Sequence, residues 1–340
     1  MRIARPNPAA RPDVGKTSSL TRFPGETAIV TPDSLSPWSD LGDSVKSGLH
    51  WVRRVRRAFD THSGRDGDAK GSTLNDRARG SDTVSSLLLI GDDPEPVAVY
   101  NAGGLSPILL LGDHAGRALP SGLGDLGLSV ADLDRHIACD IGVAGLGRVL
   151  ARLLDATFIH QHYSRLVIDC NRAPGADGSM AEQSDGSRIP GNLDLTLAAR
   201  RQRISEVFKP YHDRIDAELD VRSAPGRRVI VVSLHSFTPV FDKAHRPWGF
   251  GVLHGGDSPF SRAVLAGLRA QCGEAVGDNE PYALNEVDFS IPFHAQRRGF
   301  DYLELEVRQN MIGGRSGQIQ IGRLLADVMR QALTSCPLAP

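Results

Sequence analysis

The sequence predicts an α/β fold built on a mostly parallel or mixed sheet. Short apolar runs alternate with longer amphipathic segments from Ser85 onward, which is the pattern of strands and helices in layers. Polar residues collect where the apolar runs end. No internal repeat with a period of 20 to 50 residues points instead to a solenoid.

Residues 1–84 are rich in Arg, Ser, Asp, Gly and Pro and poor in aliphatic runs, so they are expected to form a disordered tail that buries too little surface to offset ordering. Within it, HWVRRVRRAFD (50–60) sets Trp51, Val52, Val55 and Phe59 near helical spacing among arginines. That stretch reads as a basic amphipathic helix for an acidic partner or a membrane surface, or as a solvated segment. Residues 85–340 read as one folded domain.

In that domain SPILLLGDHAGRALP begins as a strand (107–111) and passes into a polar turn, and VAGLGRVLARLLDA (143–156) is a helix. FIHQHYSRLVIDCNR contains two short strands or one bent strand, with Leu166, Val167 and Ile168 as buried strand residues. ISEVFKPYHDRIDAELDVR (204–222) is a helix that Pro210 must kink or interrupt. RRVIVVSLHSFTP (227–239) is a buried strand ending in a polar loop, followed by the helix PFSRAVLAGLRAQCG, the late strand YLELEVRQNMI and the closing helix GQIQIGRLLADVMRQAL. GGRSGQ (313–318) lacks the Lys and the spacing of a phosphate loop and reads as a helix start.

Bulk properties exclude several classes. A formal net charge of -1 over 340 residues provides no global field for nucleic acid or anionic lipid. The 4 cysteines, Cys139, Cys170, Cys272 and Cys336, form no CxxC pair, which argues against a sulfur-ligated zinc site and a disulfide scaffold. No stretch approaches the ~20 apolar residues of a membrane span, and MRIARPNPAARPDVGK lacks the apolar region of a secretory signal. A soluble cytoplasmic protein is expected.

Chemistry is concentrated at strand ends. His114 follows the strand of LLLGDHAGR, and His235 ends the strand of VVSLHSF, both where a parallel sheet opens its crevice. Asp140, in RHIACDIGVAG, precedes a helix and serves either as its N-cap or as a ligand in the same crevice. Two imidazoles and a carboxylate with one open position make a catalytic zinc site, since zinc lowers the pKa of water to about 7. Arg165, Asp169, Asn171 and Arg172 gather around YSRLVIDCNR, where a guanidinium fork and a neighbouring amide suit a carboxylate ligand. Tyr282, in DNEPYALN, reads as a donor to substrate or to a developing oxyanion, or as a turn tyrosine. His294 and His136 are possible proton carriers.

The segments SPILLLGDHAGRALP, RHIACDIGVAGL, YSRLVIDCNRAPG, IPGNLDL, VVSLHSFTP, RPWGFGVL, VGDNEPYALN and LELEVRQNMIGG, in this order over nearly all of 85 to 335, resemble the N-formylglutamate amidohydrolase family. The resemblance implies a three-layer α/β/α sandwich of zinc carboxypeptidase-like fold and makes 85–340 a catalytic domain. It implies zinc as cofactor on His114, Asp140 and His235, although the carboxypeptidase relatives take their acidic ligand from HxxE and the residue three after His114 is Arg117. Glu306 is similar to the glutamate that acts as general base; Glu304 shares its strand face and is the alternative. Asn171 and Arg172 resemble the pair that clamps the substrate α-carboxylate, with Arg165 as a second cation and Asp169 orienting an arginine or pairing with it. Asn310 stands where an Asp is expected. The implied activity is hydrolysis of a small N-acyl amino acid, most simply N-formylglutamate or a related N-formyl compound, to formate and the free amino acid. Carboxypeptidase-like or deacylase action on a larger group, and a non-catalytic binding protein, are the alternatives.

Overall fold

Ile230, Val231 and Val232 are β-branched and fully buried, and Ile108–Gly112 exposes no side chain. Runs of this kind are strands covered on both faces, and they form the middle of the sheet. The structure, a computed structural model, describes residues 87–224 and 227–336, which lie within the unit Ser81–Pro340. The basic stretch 50–60 and the expected tail lie outside the described residues.

The sheet has seven strands: β1 (Val97–Tyr100), β2 (Ile108–Gly112), β3 (Thr157–Gln161), β4 (Ile230–Phe237), β5 (Phe250–Leu253), β6 (Val276–Asp278) and β7 (Asp301–Arg308). Their spatial order is β1-β3-β2-β4-β7-β5-β6. Pairing is parallel from β3 through β2 and β4 to β7 and between β5 and β6. It is antiparallel at β1–β3 and β7–β5, so the sheet is mixed. β1, β5 and β6 carry too few residues to stand out as apolar runs in the sequence.

Helices cover both faces, which completes the α/β/α sandwich. On one side lie α1 (Val143–Leu154), α4 (Pro259–Cys272) and α5 (Arg315–Ser335), packed with Ile108, Leu110, Val232, Leu234, Leu303 and Leu305. In α1 the buried Val143, Leu146, Leu150 and Leu154 recur at helical spacing, each burial being worth about 1.5–3 kcal/mol. On the other side α2 (Leu197–Arg203) runs through one wide turn, Ile204–Phe208, into α3 (Lys209–Arg222). The wide turn precedes Pro210, whose ring cannot follow a regular helical turn, so the expected interruption takes this form.

Because side chains alternate along a strand, each central strand sends apolar residues toward α1, α4 and α5 and a second set to the α3 side. That second set turns polar near the strand ends: Asp113 after β2, Ser233 and His235 on β4, Glu304 and Glu306 on β7. From β2 the chain passes through α1 to β3, whereas β4 lies on the opposite flank of β2, so the crevice between β2 and β4 is a topological switch point.

The expected strand at Leu166–Ile168 is not one. The single strand β3 ends at Gln161, a bridge pairs Ala118 with Tyr163, and the described residues 164–172 form a buried loop that pairs with no strand. Its apolar side chains are buried as a strand's would be, but its carbonyls are satisfied by side chains. Asn192 Nδ2 donates to Leu166 O at 2.9 Å, and the buried Arg203 donates to Val167 O at 2.9 Å and to Asn192 Oδ1 at 2.7 Å. Local pattern cannot distinguish these two ways of satisfying a buried backbone. Arg203→Ala is therefore expected to lower unfolding free energy by about 3 kcal/mol, because it strands buried acceptors; urea denaturation of the variant measures this.

Candidate active site

His114, Asp140 and His235 meet in the crevice. Gly112 ends β2 and delivers Asp113 and His114, while the C-terminal end of β4 delivers His235. The rings of His114 and His235 lie with centroids 4.9 Å apart. Asp140 docks by its backbone N–H on the His114 carbonyl at 2.9 Å, and its Oδ2 lies 3.0 Å from His235 Nδ1 and 3.5 Å from His114 Nδ1. It does not cap α1: the N-cap is Gly142, and no side chain caps the helix. Gly142 has φ 88°, and a Cβ there would fall 2.2 Å from Ile312 O, so only glycine lets the chain turn from Asp140 into α1.

Each imidazole is oriented by a buried carboxylate through its other nitrogen. Asp169 Oδ1 lies 2.7 Å from His114 Nε2. On the other ring, Ser233 Oγ sits 3.0 Å from His235 Nε2 and donates to Asp113 Oδ2 at 3.0 Å. Asp113 also accepts from Tyr211 and Ser290, at 2.9 and 2.8 Å. Asp113 and Ser233 were missed in the sequence, although one adjoins His114 and the other shares the face of His235 by the strand period.

The electrostatics favour a cation. Burial opposes ionisation of Asp113, Asp140 and Asp169, yet His235, His114 and Arg165 respectively hold all three well below the usual carboxylate range. Burial disfavours charge on His114 and His235, but the same carboxylates raise both. The crevice thus draws in positive charge, and His114 Nδ1 is buried there without a hydrogen-bond partner. His114, Asp140 and His235 have donor atoms within 4.8 Å of one another, so this donor set can hold a divalent metal ion such as zinc.

Glu304 and Glu306 are both buried on the α3 side of β7, in register with Ser233 and His235 respectively. Burial pushes Glu304 up to about 8 and Glu306 up to about 7. Oε2 of each has no hydrogen-bond partner. The charge of His235 acts on both; Glu306 also feels Asp140, His114 and Arg165, whereas Glu304 feels Asp288 and Glu306.

The 164–172 loop brings its polar residues to the same crevice. Arg165 grips Asp169 Oδ2 through Nε and Nη2, at 3.1 and 2.6 Å, and reaches Asp140 at 3.4 Å. Asp169 therefore serves Arg165 and His114 at once. Asn171 holds the neighbouring loop: its Oδ1 accepts from the N–H groups of Phe289 and Ser290, each at 2.9 Å, and its Nδ2 donates to Asp288 at 3.3 Å. Arg172 lies 3.7 Å from Asp288 and keeps a buried Nη1 without a hydrogen-bond partner. Tyr282 stands at the rim, its ring 4.8 Å from the Arg246 guanidinium.

Other candidates lie elsewhere. His136 faces Asp185 at 3.5 Å, and Asn310 accepts from Arg308 Nε at 3.1 Å. His294 is buried behind the crevice, bonded to Asp216 at 3.0 Å and to His212 at 2.8 Å, and His212 reaches the Cys170 carbonyl at 3.0 Å. The four cysteines are free.

The family model for N-formylglutamate amidohydrolase matches residues 106–313. The chain belongs to the N-formylglutamate amidohydrolase family. Its fold is also that of a gene product of Agrobacterium tumefaciens, 36% identical, with a TM-score of 0.70 over 73% of this chain and 98% of that one. An N-formylglutamate amidohydrolase from Ralstonia eutropha is 20% identical, with a TM-score of 0.54 over 70% of this chain and 97% of that one, and shows a shared fold. No curated protein matches the chain. Membership of this amidohydrolase family supports amide hydrolysis, and a small acyl amino acid fits it as substrate. No helix among the described residues is long and apolar enough to cross a membrane.

Support of the loop carries a pH signature. Burial holds His212 down to about 3, whereas an unfolded histidine protonates near 6.5. Between these values the unfolded chain binds more protons, so this contribution is complete above about pH 6.5 and is lost as pH falls toward 3, on the order of 5 kcal/mol. Urea midpoints measured across that range are expected to fall less steeply in His212→Gln than in the parent.

Proposed function

We propose that the chain is a zinc-dependent amidohydrolase of the cytoplasm that cleaves a small N-acyl amino acid, N-formylglutamate or a related N-formyl compound, to formate and the free amino acid. The observation that carries this reading is the meeting of His114, Asp140 and His235 within ligand distance, with His114 Nδ1 buried and unbonded. A zinc ion held there would make water a nucleophile near neutral pH and polarise the amide carbonyl.

The chain's own residues do the rest. Glu306, raised to about 7 by burial, takes a proton from the attacking water at its unbonded Oε2 and returns it to the departing nitrogen as the C–N bond breaks. Arg172 receives the substrate α-carboxylate, and Asn171 fixes the loop beside it. Arg165 holds Asp169 and Asp140 in place while adding positive potential. Asp169 and the Asp113–Ser233 pair keep the two imidazoles aimed inward.

Elemental analysis of purified protein is expected to find about one zinc per chain, as three protein ligands with a fourth position open to water require. Chelation is expected to abolish formate release and zinc to restore it, while His235→Ala loses the metal. Glu306→Gln should keep zinc but lower kcat by about 10²–10⁴, with a smaller effect for Glu304→Gln. Substoichiometric zinc with no formate release overturns the enzymatic reading, and faster turnover of acetyl or peptidyl substrates overturns the formyl assignment. Separately, Asp169→Asn should weaken zinc affinity by about 10–100-fold in competition with a metal-sensitive dye.

A further inference from the structure

The rim of the crevice carries a cation that the reaction as described leaves unused. β4 runs from His235 to Phe237 directly into a small hairpin, Val240–Phe241 paired with Ala244–His245, that turns through Asp242 and Lys243 at positive φ. Arg246 follows the hairpin. Its guanidinium lies 4.7 Å from the Phe241 ring centroid and 4.8 Å from that of Tyr282, with Phe237 at 5.8 Å. Aromatic faces hold a guanidinium well without spending its in-plane N–H donors.

Among the described residues those donors meet neutral oxygens: Arg246 contacts Thr238 O and Oγ1 at 3.5 and 3.4 Å. Among the described residues it has no ion-paired carboxylate, in contrast to Arg165, which faces Asp140 and Asp169, and Arg172, which faces Asp288. The position is also close to the chemistry. Gly251 lies between the Glu280 carbonyl and Glu306 Cβ, a Cβ there falling 2.2 and 3.2 Å from them, so the Glu280-Pro281-Tyr282 turn sits directly beside Glu306. Tyr282 ends that turn, and its ring lies 4.8 Å from the Arg246 guanidinium.

We infer that Arg246, held between Phe241 and Tyr282, is the residue that reads a negatively charged side chain on the N-acyl amino acid. The inference rests on the amidohydrolase reading above and adds a specificity determinant to it: the α-carboxylate goes to Arg172, and the side-chain anion goes to Arg246. The stacked guanidinium offers an edge for bidentate binding and loses little side-chain freedom when it does so.

The test compares N-formylglutamate with N-formylglutamine, equal in shape and different in charge, using the zinc-loaded full chain and its R246Q and R246K variants. R246Q is expected to raise KM for N-formylglutamate about 10–100-fold and KM for N-formylglutamine less than about threefold, with R246K intermediate. Equal changes for both substrates, or none for N-formylglutamate, overturn the assignment and leave the amidohydrolase reading intact. R246K keeps the charge and the stacking, so its partial recovery separates loss of recognition from loss of fold. Calorimetric binding of free glutamate gives a second readout that needs no turnover. If the parent chain releases no formate from either compound, the amidohydrolase reading fails, and the Arg246 assignment is then decided by whether R246Q weakens that glutamate binding.

Discussion

The structure depends on negative charge kept out of water at the C-terminal ends of the parallel strands in the centre of the sheet. Asp113, Asp140 and Asp169 are almost wholly buried, and a desolvated carboxylate is costly unless its partners are close and well aimed. The fold supplies those partners from different elements. Tyr211 comes from α3, Ser233 and His235 from β4, Ser290 from the late loop, and Arg165 from the buried loop after β3. Removing any one of these contacts disturbs several others, because most of the acceptors are shared. The same crowding of carboxylates explains why two imidazoles and the Arg165 guanidinium fit in an interior that is otherwise aliphatic.

The sheet separates stability from chemistry by its two faces. Residues directed toward α1, α4 and α5 are aliphatic along the whole length of the central strands. Those directed toward α3 change from Leu109, Leu111 and Val231 at one end to Asp113, Ser233, His235, Glu304 and Glu306 at the other. One face can therefore remain a continuous core while the other tolerates polar groups that would be ruinous in the middle of a domain.

Much of this was legible in the sequence. Strands β2, β4 and β7 and helices α1, α4 and α5 stood out because each is long or continuously apolar enough to show its period, and His114 and His235 were visible as polar residues at strand ends. Asp140 was ambiguous between cap and ligand until Gly142 was seen to occupy the cap position. Leu166–Ile168 misled because burial alone was encoded there, while the groups that replace strand pairing, Asn192 and Arg203, lie far along the chain. The contact of Asn171 with 288–290 and the stacking of Arg246 on Tyr282 were not legible, since each joins loops whose approach depends on the whole topology.

The position of β7 bears on how the molecule comes into being. It is the last strand in the chain, yet it lies between β4 and β5, which precede it. Until residues 301–308 arrive, those two neighbours have no common partner and the sheet is open through its centre. The final β-segment is therefore a wedge rather than an addition at the margin, and it brings Glu306 with it. Assembly of so non-local a pairing is intrinsically slow, and a nascent chain cannot own a complete reaction centre before its sheet is whole.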